Sequence, residues 1–528
     1  MPVSRTKIHR HIYIFGLILL AVSLPVSLFF TSVSEFLLAA NWLAEGKFLE
    51  KFTILKHRKS LWFILSAYII FVLGMIYTTD YKWGMHDLRI KLPLLILPLI
   101  IGTSEKLSLN TIKTILLFFV ATVVVNSLIS TYVYLGFSKK EVLDVRKISL
   151  FISHIRFSIM VAFSILILIY YLFKDHGLQL FPQEKFLYGI IILWLLAFLI
   201  ILQSLTGIVI LIIILPFVIT NRILQARSIH LKIILLFVES LSILAIILFI
   251  VGSVHKFYST REIKTDSLEK YTKNGNPYFN NPNDKTLENG YHVWTYVCEP
   301  ELRKEWNKRS SIPYDSLDRK RQNLKFTLIR YMTSLGYRKD SAGVSRLSAK
   351  DIQNIENGNS NVIFSRKFSL YPRTYQIIWE IDVYKKTRYA SGHSITQRIE
   401  YLKTAFDIIK KNIWIGVGTG DVRTAFQKAY QHSHTLLAKK RQHRAHNQLV
   451  TFLLTYGIFG FIWIIIAFVY PVFLENKWKD YLFLIILAIG FLSMLNEDML
   501  ETHTGVSFFA YFYALFLLGQ QKSEKVTK

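Results

Sequence analysis

The chain has 528 residues, of which 52% are hydrophobic, 15% aromatic and only 19% charged. That balance is too apolar for a water-soluble globule of this length and points to an all-α polytopic membrane protein. The formal net charge of +28 requires an anionic partner; with no zinc-finger, basic-zipper or aromatic-tract motif, nucleic acid is disfavoured, and phosphorylated lipids and anionic glycans are the better candidates.

Stretches of about 20 apolar residues cross a hydrocarbon core of roughly 30 Å, and only helices do so here because every backbone amide needs a partner inside its own segment. Such stretches are read at 12–29, 31–45, 61–78, 88–102, 111–136, 155–173, 186–202, 205–220, 231–252, 449–470, 480–495 and 505–519. This gives about twelve transmembrane helices. The second and fourth are short, and only Gln203-Ser204 separates the seventh from the eighth. The first has no small-residue cleavage site and is followed at once by another, so it reads as a retained span rather than a signal peptide.

Short loops rich in Lys and Arg stay in the cytoplasm. Arg5, Lys7 and Arg10 precede the first span; Lys47, Lys51, Lys56, Arg58 and Lys59 follow the second. Arg222, Arg227 and Lys232 join the eighth to the ninth, and Lys477, Lys479 and the Lys522, Lys525, Lys528 tail fall on the same side. Both termini are therefore expected inside and one large loop outside. The implied organisation is an N-terminal bundle over 1–253, a loop domain over 254–447, and C-terminal helices with a tail over 448–528. Cys298 is the only cysteine, so the loop has no internal disulfide.

Within the loop, Asn274-Gly275-Asn276-Pro277 and Asn281-Pro282-Asn283-Asp284 mark turns. Trp294, Trp306 and Tyr331 offer apolar anchors, and Leu324–Leu335 reads as a helix closed by Gly336. Arg319-Lys320-Arg321 is taken as a solvated face. Ser394 and Gln397 have capping-box spacing, and Ile395, Ile399, Leu402, Phe406 and Ile409 recur as one helical stripe expected to be buried. Arg398 lies in the first turns of that helix, where free N–H groups and a guanidinium fork suit phosphate oxygens; a surface ion pair is the competing assignment.

Gly416-Val417-Gly418-Thr419-Gly420-Asp421 follows a helix and lacks the Lys-Ser/Thr ending of a nucleotide loop, so the turn is expected to allow close backbone approach to a helix or to a lipid-linked substrate. His446 stands at the outer end of the next apolar helix. On a helical register it shares a face with Val450, Leu453, Gly457 and Gly460. Histidine suits base chemistry near neutral pH, although a lone interfacial His is more often a cap or a snorkelling group.

His446-Asn447, then residues 448–456, then Gly457-Ile458-Phe459-Gly460 resembles the signature of the bacterial O-antigen ligase and O-antigen polymerase superfamily. Arg398 to Leu402, Gly416 to Asp421, and Glu497 to Phe509 resemble three further elements of that family, so the strong resemblance covers 391–515. It implies a GT-C-like glycosyltransferase of the bacterial inner membrane whose large loop is periplasmic. Such an enzyme moves a glycan from undecaprenyl diphosphate to a sugar hydroxyl, of lipid A-core in a ligase or of another repeat unit in a polymerase. It uses neither metal nor cofactor. His446 would then be the general base, and Arg398 and Arg156 would hold the donor diphosphate. Asn447, Gly416, Gly418, Gly420, Arg89, Lys91, Glu497 and Glu501 are supporting candidates, and Asp498 and His503 join the acidic cluster. Where many relatives carry Ser-Arg-Gly, this chain has Ser204-Leu205-Thr206-Gly207. Transfer of glycan to protein hydroxyls remains an alternative, as does a lipid-linked glycan transporter, which predicts paired broken helices near the midplane.

Overall fold

Non-helical backbone is tolerated at membrane depth only where other protein groups satisfy it, and one such place organises this fold. The computed structural model describes residues 5–138, 144–173, 181–224, 228–259, 268–284, 286–366, 368–433 and 435–521. Arg227, Lys522, Lys525 and Lys528, used above for orientation, lie outside them. Packing divides the chain into two compact units, one of Met1–Phe137, Ile148–Val218 and Ala390–Lys528, the other of Ser138–Lys147 and Ile219–Tyr389. Residues 390–447, grouped above with the loop, therefore pack with the helices.

The helices in chain order begin with α1 (Arg5–Ser23), α2 (Leu28–Glu45), α3 (Phe48–His57), α4 (Lys59–Leu73), α5 (Tyr81–Lys91), α6 (Pro93–Thr103) and α7 (Leu109–Tyr134). Next come α8 (His154–Phe173), α9 (Pro182–Leu202), α10 (Leu205–Leu224) and α11 (Ile229–Tyr258). The polar segment holds α12 (Glu299–Arg309), α13 (Leu324–Ser334), α14 (Ser341–Ser345), α15 (Ala349–Glu356) and α16 (Tyr371–Thr387). The chain closes with α17 (Ser394–Lys411), α18 (Val422–His432), α19 (Gln448–Leu474), α20 (Tyr481–Met494) and α21 (His503–Leu518).

Each of the twelve apolar segments contains a helix. Among the described residues, six helices, α7 to α11 and α19, are long and apolar enough to cross a membrane. The fourth segment is not one helix. Pro93 has no N–H to continue α5, so the chain restarts there as α6, whose 11 residues span only about 16 Å at 1.5 Å per residue. Gln203, at φ +52, ends α9 before α10 begins. Helix α21, apolar all round, is buried from Thr504 to Leu518. Its Phe508 and Phe512 pack edge-on with Phe119 of α7 and Phe163 of α8. The buried hydroxyls of Tyr511 and Tyr513 donate to Leu17 O and Phe468 O, which spares them an unpaired polar tip.

Gly457, at φ +64 and ψ −171, interrupts α19. The carbonyls freed on one side are taken by Val417 N (to Leu454 O, 3.0 Å) and Gly418 N (to Thr455 O, 2.9 Å). Ile458 N donates in turn to Ile413 O at 2.8 Å. The 413–418 segment thus plugs the break, and it does so at backbone contact: a Cβ on Gly416 would lie 2.3 Å from the Thr455 carbonyl, and one on Gly457 2.2 Å from Trp414 O. Asp421 fixes the far end of the turn by accepting from Thr79 N (2.7 Å), Thr79 Oγ1 (2.8 Å) and Asp80 N (2.9 Å) ahead of α5. The continuous register that placed His446 and Gly457 on one helical face is therefore corrected. His446 precedes the helix, whose cap is Asn447.

The α17 reading is corrected as well. His393, not Ser394, is the N-terminal cap and makes no side-chain capping bond. Ile399 and Phe406 of the expected buried stripe are exposed, 38% and 47%, whereas Gln397, Tyr401, Thr404 and Ala405 are buried. Ile409 of that stripe is buried, and the buried residues of α17 mix Gln397, Tyr401 and Thr404 with Ala405, Ile408 and Ile409.

In the second unit, Trp306, Tyr314 and Tyr331 are fully buried with Leu328 and Met332. Helix α13 ends at Gly336 (φ +73), as its sequence predicts. Buried Glu288 on a short hairpin accepts from Arg330 (2.6 Å), Asn361 (2.5 Å) and the Tyr375 hydroxyl (3.1 Å).

Gly457→Ala and Gly416→Ala are each expected to lower the unfolding temperature of the detergent-solubilised protein, since the left-handed backbone alone costs about 1–2 kcal/mol for a residue with a Cβ and steric overlap adds to it. Gly189→Ala, whose Cβ would meet nothing within 4 Å, serves as the neutral comparison. Equal melting of all three variants would show that the plug does not hold the break.

Candidate active site

His446 is placed by its backbone before its side chain. It adopts a left-handed conformation, φ +49, that is unfavourable for a residue with a Cβ. Two anchors hold it there. Its N–H donates to Asp498 Oδ2 at 3.1 Å, while Asp498 Oδ1 accepts from Thr451 Oγ1 at 2.8 Å. On the other side Asn447 caps α19 by accepting from Val450 N (3.0 Å), and its amide donates to Leu495 O (2.9 Å). The imidazole is consequently fixed against the loop between α20 and α21.

That loop brings the charges together. Glu497 receives Arg398 Nη2 at 2.5 Å and faces His446 Nδ1 at 3.5 Å. Arg398 Nη1 donates to Asn496 Oδ1 at 2.6 Å, and Asn496 Nδ2 donates to Thr206 Oγ1 at 3.0 Å. Arg156, in the first turn of α8, lies close enough to Glu497 to act on its charge. Burial would raise the Glu497 carboxyl, but the His446 contact and the Arg398 and Arg156 charges hold it below its ordinary range. The ring of Tyr401 stands 5.5 Å from the imidazole, tilted by 34°, and its hydroxyl donates to Arg441 O at 2.7 Å. His446 keeps a side-chain exposure of 34%, so the ring edge away from Glu497 is open to a reactant.

Glu501 organises the next layer. It is paired with Lys91 (2.9 Å) and Arg444 (2.9 Å) and accepts from Gln448 Nε2 (3.0 Å); Gln448 Oε1 in turn accepts from Leu500 N (2.8 Å). Burial opposes ionisation, yet Lys91 and Arg444 hold this carboxyl well below the usual carboxylate range. Burial instead raises the Asp498 carboxyl, against the pull of Arg444.

The structure thus gathers His446, Asn447, Arg398, Arg156, Glu497 and Glu501 in one place. Lys91 joins this place through Glu501, whereas Arg89 and the glycines do not. Lys91 is 1% exposed and locked between Asp87 (2.5 Å) and Glu501; buried carboxylates claim it, so it is neither a phosphate clamp nor a snorkelling anchor. Arg89 is exposed beside His86 Nδ1, at 3.2 Å. Gly416, Gly418 and Gly420 make their close contacts with Thr455, Thr78 and Asp80, so the turn approaches helices rather than wrapping an anion. Sequence reasoning missed Asn496, Thr206, Arg444 and Gln448. Arg444 and Gln448 flank His446 by two residues on each side, a symmetry that is a usable signal. Thr206, within Ser204-Leu205-Thr206-Gly207, joins the cluster through Asn496; nothing in its local sequence announces this.

A carboxyl held low in the folded state adds stability that is fully present above the ordinary Glu value of about 4.3 and is lost as the pH falls through the folded value. The unfolding temperature is therefore expected to drop on acidification below about pH 4. Glu501→Gln, which leaves Arg444 facing an amide, is expected to cost about 3 kcal/mol at neutral pH and to flatten that acid limb. An unchanged melting curve at pH 7 would show that this ion cluster does not hold the loop.

Residues 348–465 match the family described as O-Antigen ligase. The matched stretch contains Arg398, the 416–421 turn, His446 and Gly457 to Gly460, and it ends before the acidic loop. No curated protein matches the chain. That match, in a chain with membrane-type helices, supports a relationship of this stretch to the O-antigen ligase superfamily.

Proposed function

We propose that the protein is an O-antigen ligase-type glycosyltransferase, moving a glycan from undecaprenyl diphosphate to a sugar hydroxyl of lipid A-core. The proposed setting is the periplasmic face of the bacterial inner membrane, with about twelve spans and both termini in the cytoplasm. One observation carries this reading: His446 and Arg398, from distant parts of the chain, meet a single partly buried carboxylate, Glu497, on whose charge Arg156 also acts.

The chemistry follows from the arrangement. With Nδ1 toward Glu497, Nε2 of His446 takes the proton of the acceptor hydroxyl as its oxygen bonds to the anomeric carbon. The bond from that carbon to the diphosphate breaks, and the electron pair leaves with the phosphate oxygen. Arg398 and Arg156 neutralise the charge that develops there. A diphosphate arriving at Arg398 competes with Glu497, which is then free to stabilise the imidazolium. The leaving group is already activated, so the reaction needs placement, a base and positive charge rather than a nucleotide or a metal.

A repeat-unit polymerase would use the same chemistry, and a deletion strain separates the two: lipid-linked polymer accumulates without a ligase, single repeat units without a polymerase. The transporter reading predicts broken helices, and α19 is broken at Gly457. Residues 413–418 bond the exposed carbonyls, however, so the break offers no vacant ligand site.

In reconstituted membranes with lipid-linked glycan, His446→Ala is expected to lower kcat by about 10²–10⁴ while carrier lipid still binds; near-normal turnover would remove the base assignment. Arg398→Ala and Arg156→Ala should weaken donor binding more than the Lys substitutions do, because Lys lacks the planar fork. Equal loss from Lys and Ala would exclude bidentate recognition. Transfer should also persist in EDTA.

A further inference from the structure

A cavity of about 360 Å³ opens between α2, the α5–α6 junction and the start of α21. This is within the range of roughly 300–1,000 Å³ usual for ligand clefts. Phe36, Ala39, Pro93, Ile96 and Leu97 make its wall apolar, and Phe36 is 75% exposed, so the cavity opens sideways instead of being sealed by packing. Its polar end has a definite charge pattern. Both oxygens of Glu35 are occupied, one by His503 Nε2 (3.0 Å) and the other by Ser507 Oγ (2.5 Å). Arg89, which also lines the cavity, has no carboxylate within ion-pair distance among the described residues; its contact is His86. An apolar trough with one unneutralised guanidinium at its rim suits an amphiphile whose head group is a phosphate.

The acidic loop locates this cavity relative to the chemistry. Asn496 and Glu497 meet Arg398, Asp498 meets the His446 backbone, Glu501 meets Lys91, and His503 reaches the cavity. The seven residues from Glu497 to His503, six Cα-to-Cα steps, span at most about 20 Å. One end of the loop, at Glu497, therefore serves the imidazole and the two arginines assigned to the donor, and the other end, at His503, serves the trough.

We propose, resting on the glycosyl-transfer reading above, that this trough holds the lipid anchor of the acceptor, with its phosphate on Arg89. Donor and acceptor then approach His446 from opposite ends of one loop, and the reacting hydroxyl lies a few sugars from the acceptor's phosphorylated head. Arg89 is thereby assigned to the acceptor rather than to the donor diphosphate.

The test uses the full chain in nanodiscs with lipid-linked glycan donor and two acceptors, lipid A-core and the same core oligosaccharide stripped of acyl chains. Ala39→Trp fills the trough; Arg89→Gln removes the exposed charge with little risk to folding. Both are expected to raise KM for the acylated acceptor about tenfold, the loss of one charged hydrogen bond, without raising KM for the donor or for the stripped acceptor. A rise in donor KM would give the trough to the carrier lipid, and an equal rise for the stripped acceptor would make it a glycan site; either result overturns the proposal, as does no change. If the wild type transfers nothing, the functional reading fails, and the trough is judged by binding alone. A photoreactive lipid A should then label α2 and α6 in the wild type and not in Ala39→Trp, and absence of that labelling overturns the proposal.

Discussion

Carboxylates withdrawn from water must find cations, and the loop between α20 and α21 carries three: the buried Asp498 and Glu501 and the partly buried Glu497. Their partners come from α5, α17 and the segment just before α19. Neutralising the loop therefore forces distant parts of the chain into one place. Removing a single partner would leave a charge in a low-dielectric setting, a penalty far larger than the worth of an exposed ion pair. The imidazole of His446 is one of these partners, and its backbone is pinned by the carboxylate next in sequence. Local strain at φ +49 is affordable because the surrounding bonds over-determine it.

The broken helix sets the depth at which this happens. An uninterrupted α19 would need no plug. The break at Gly457 instead obliges residues 413–418 to dock, and Asp421 ties the same turn to the start of α5. Helix α5 then presents Lys91 to Glu501. The two glycine motifs of the sequence are thus halves of one backbone interlock, and their connection to the reaction is indirect: they position the helices from which the charges emerge.

Much of the plan was legible in the sequence because membrane-type helices advertise themselves by length and composition, and because His446, Arg398 and Arg156 are chemically unusual at apolar boundaries. What was not legible has common causes. Pro93 divides a segment that hydropathy alone reads as continuous. The stripe of α17 holds only in part, Ile409 buried but Ile399 and Phe406 exposed, because hydrophobicity does not identify the buried side near a bilayer. The left-handed backbone at His446, the Thr206–Asn496 link and the double pairing of Lys91 depend on contacts between residues up to several hundred positions apart, for which one sequence carries no periodic signal.

The central claim is that one diphosphate is held by Arg398 and Arg156 with its sugar turned toward His446. A cryo-EM structure of the full chain in a nanodisc with a non-cleavable phosphonate analogue of the lipid-linked donor tests this most directly. The account predicts both guanidinium groups within hydrogen-bonding distance of the phosphorus-bound oxygens, with the anomeric carbon facing Nε2 of His446. Density for the head group beside neither arginine, or with its sugar directed away from that imidazole, would contradict it.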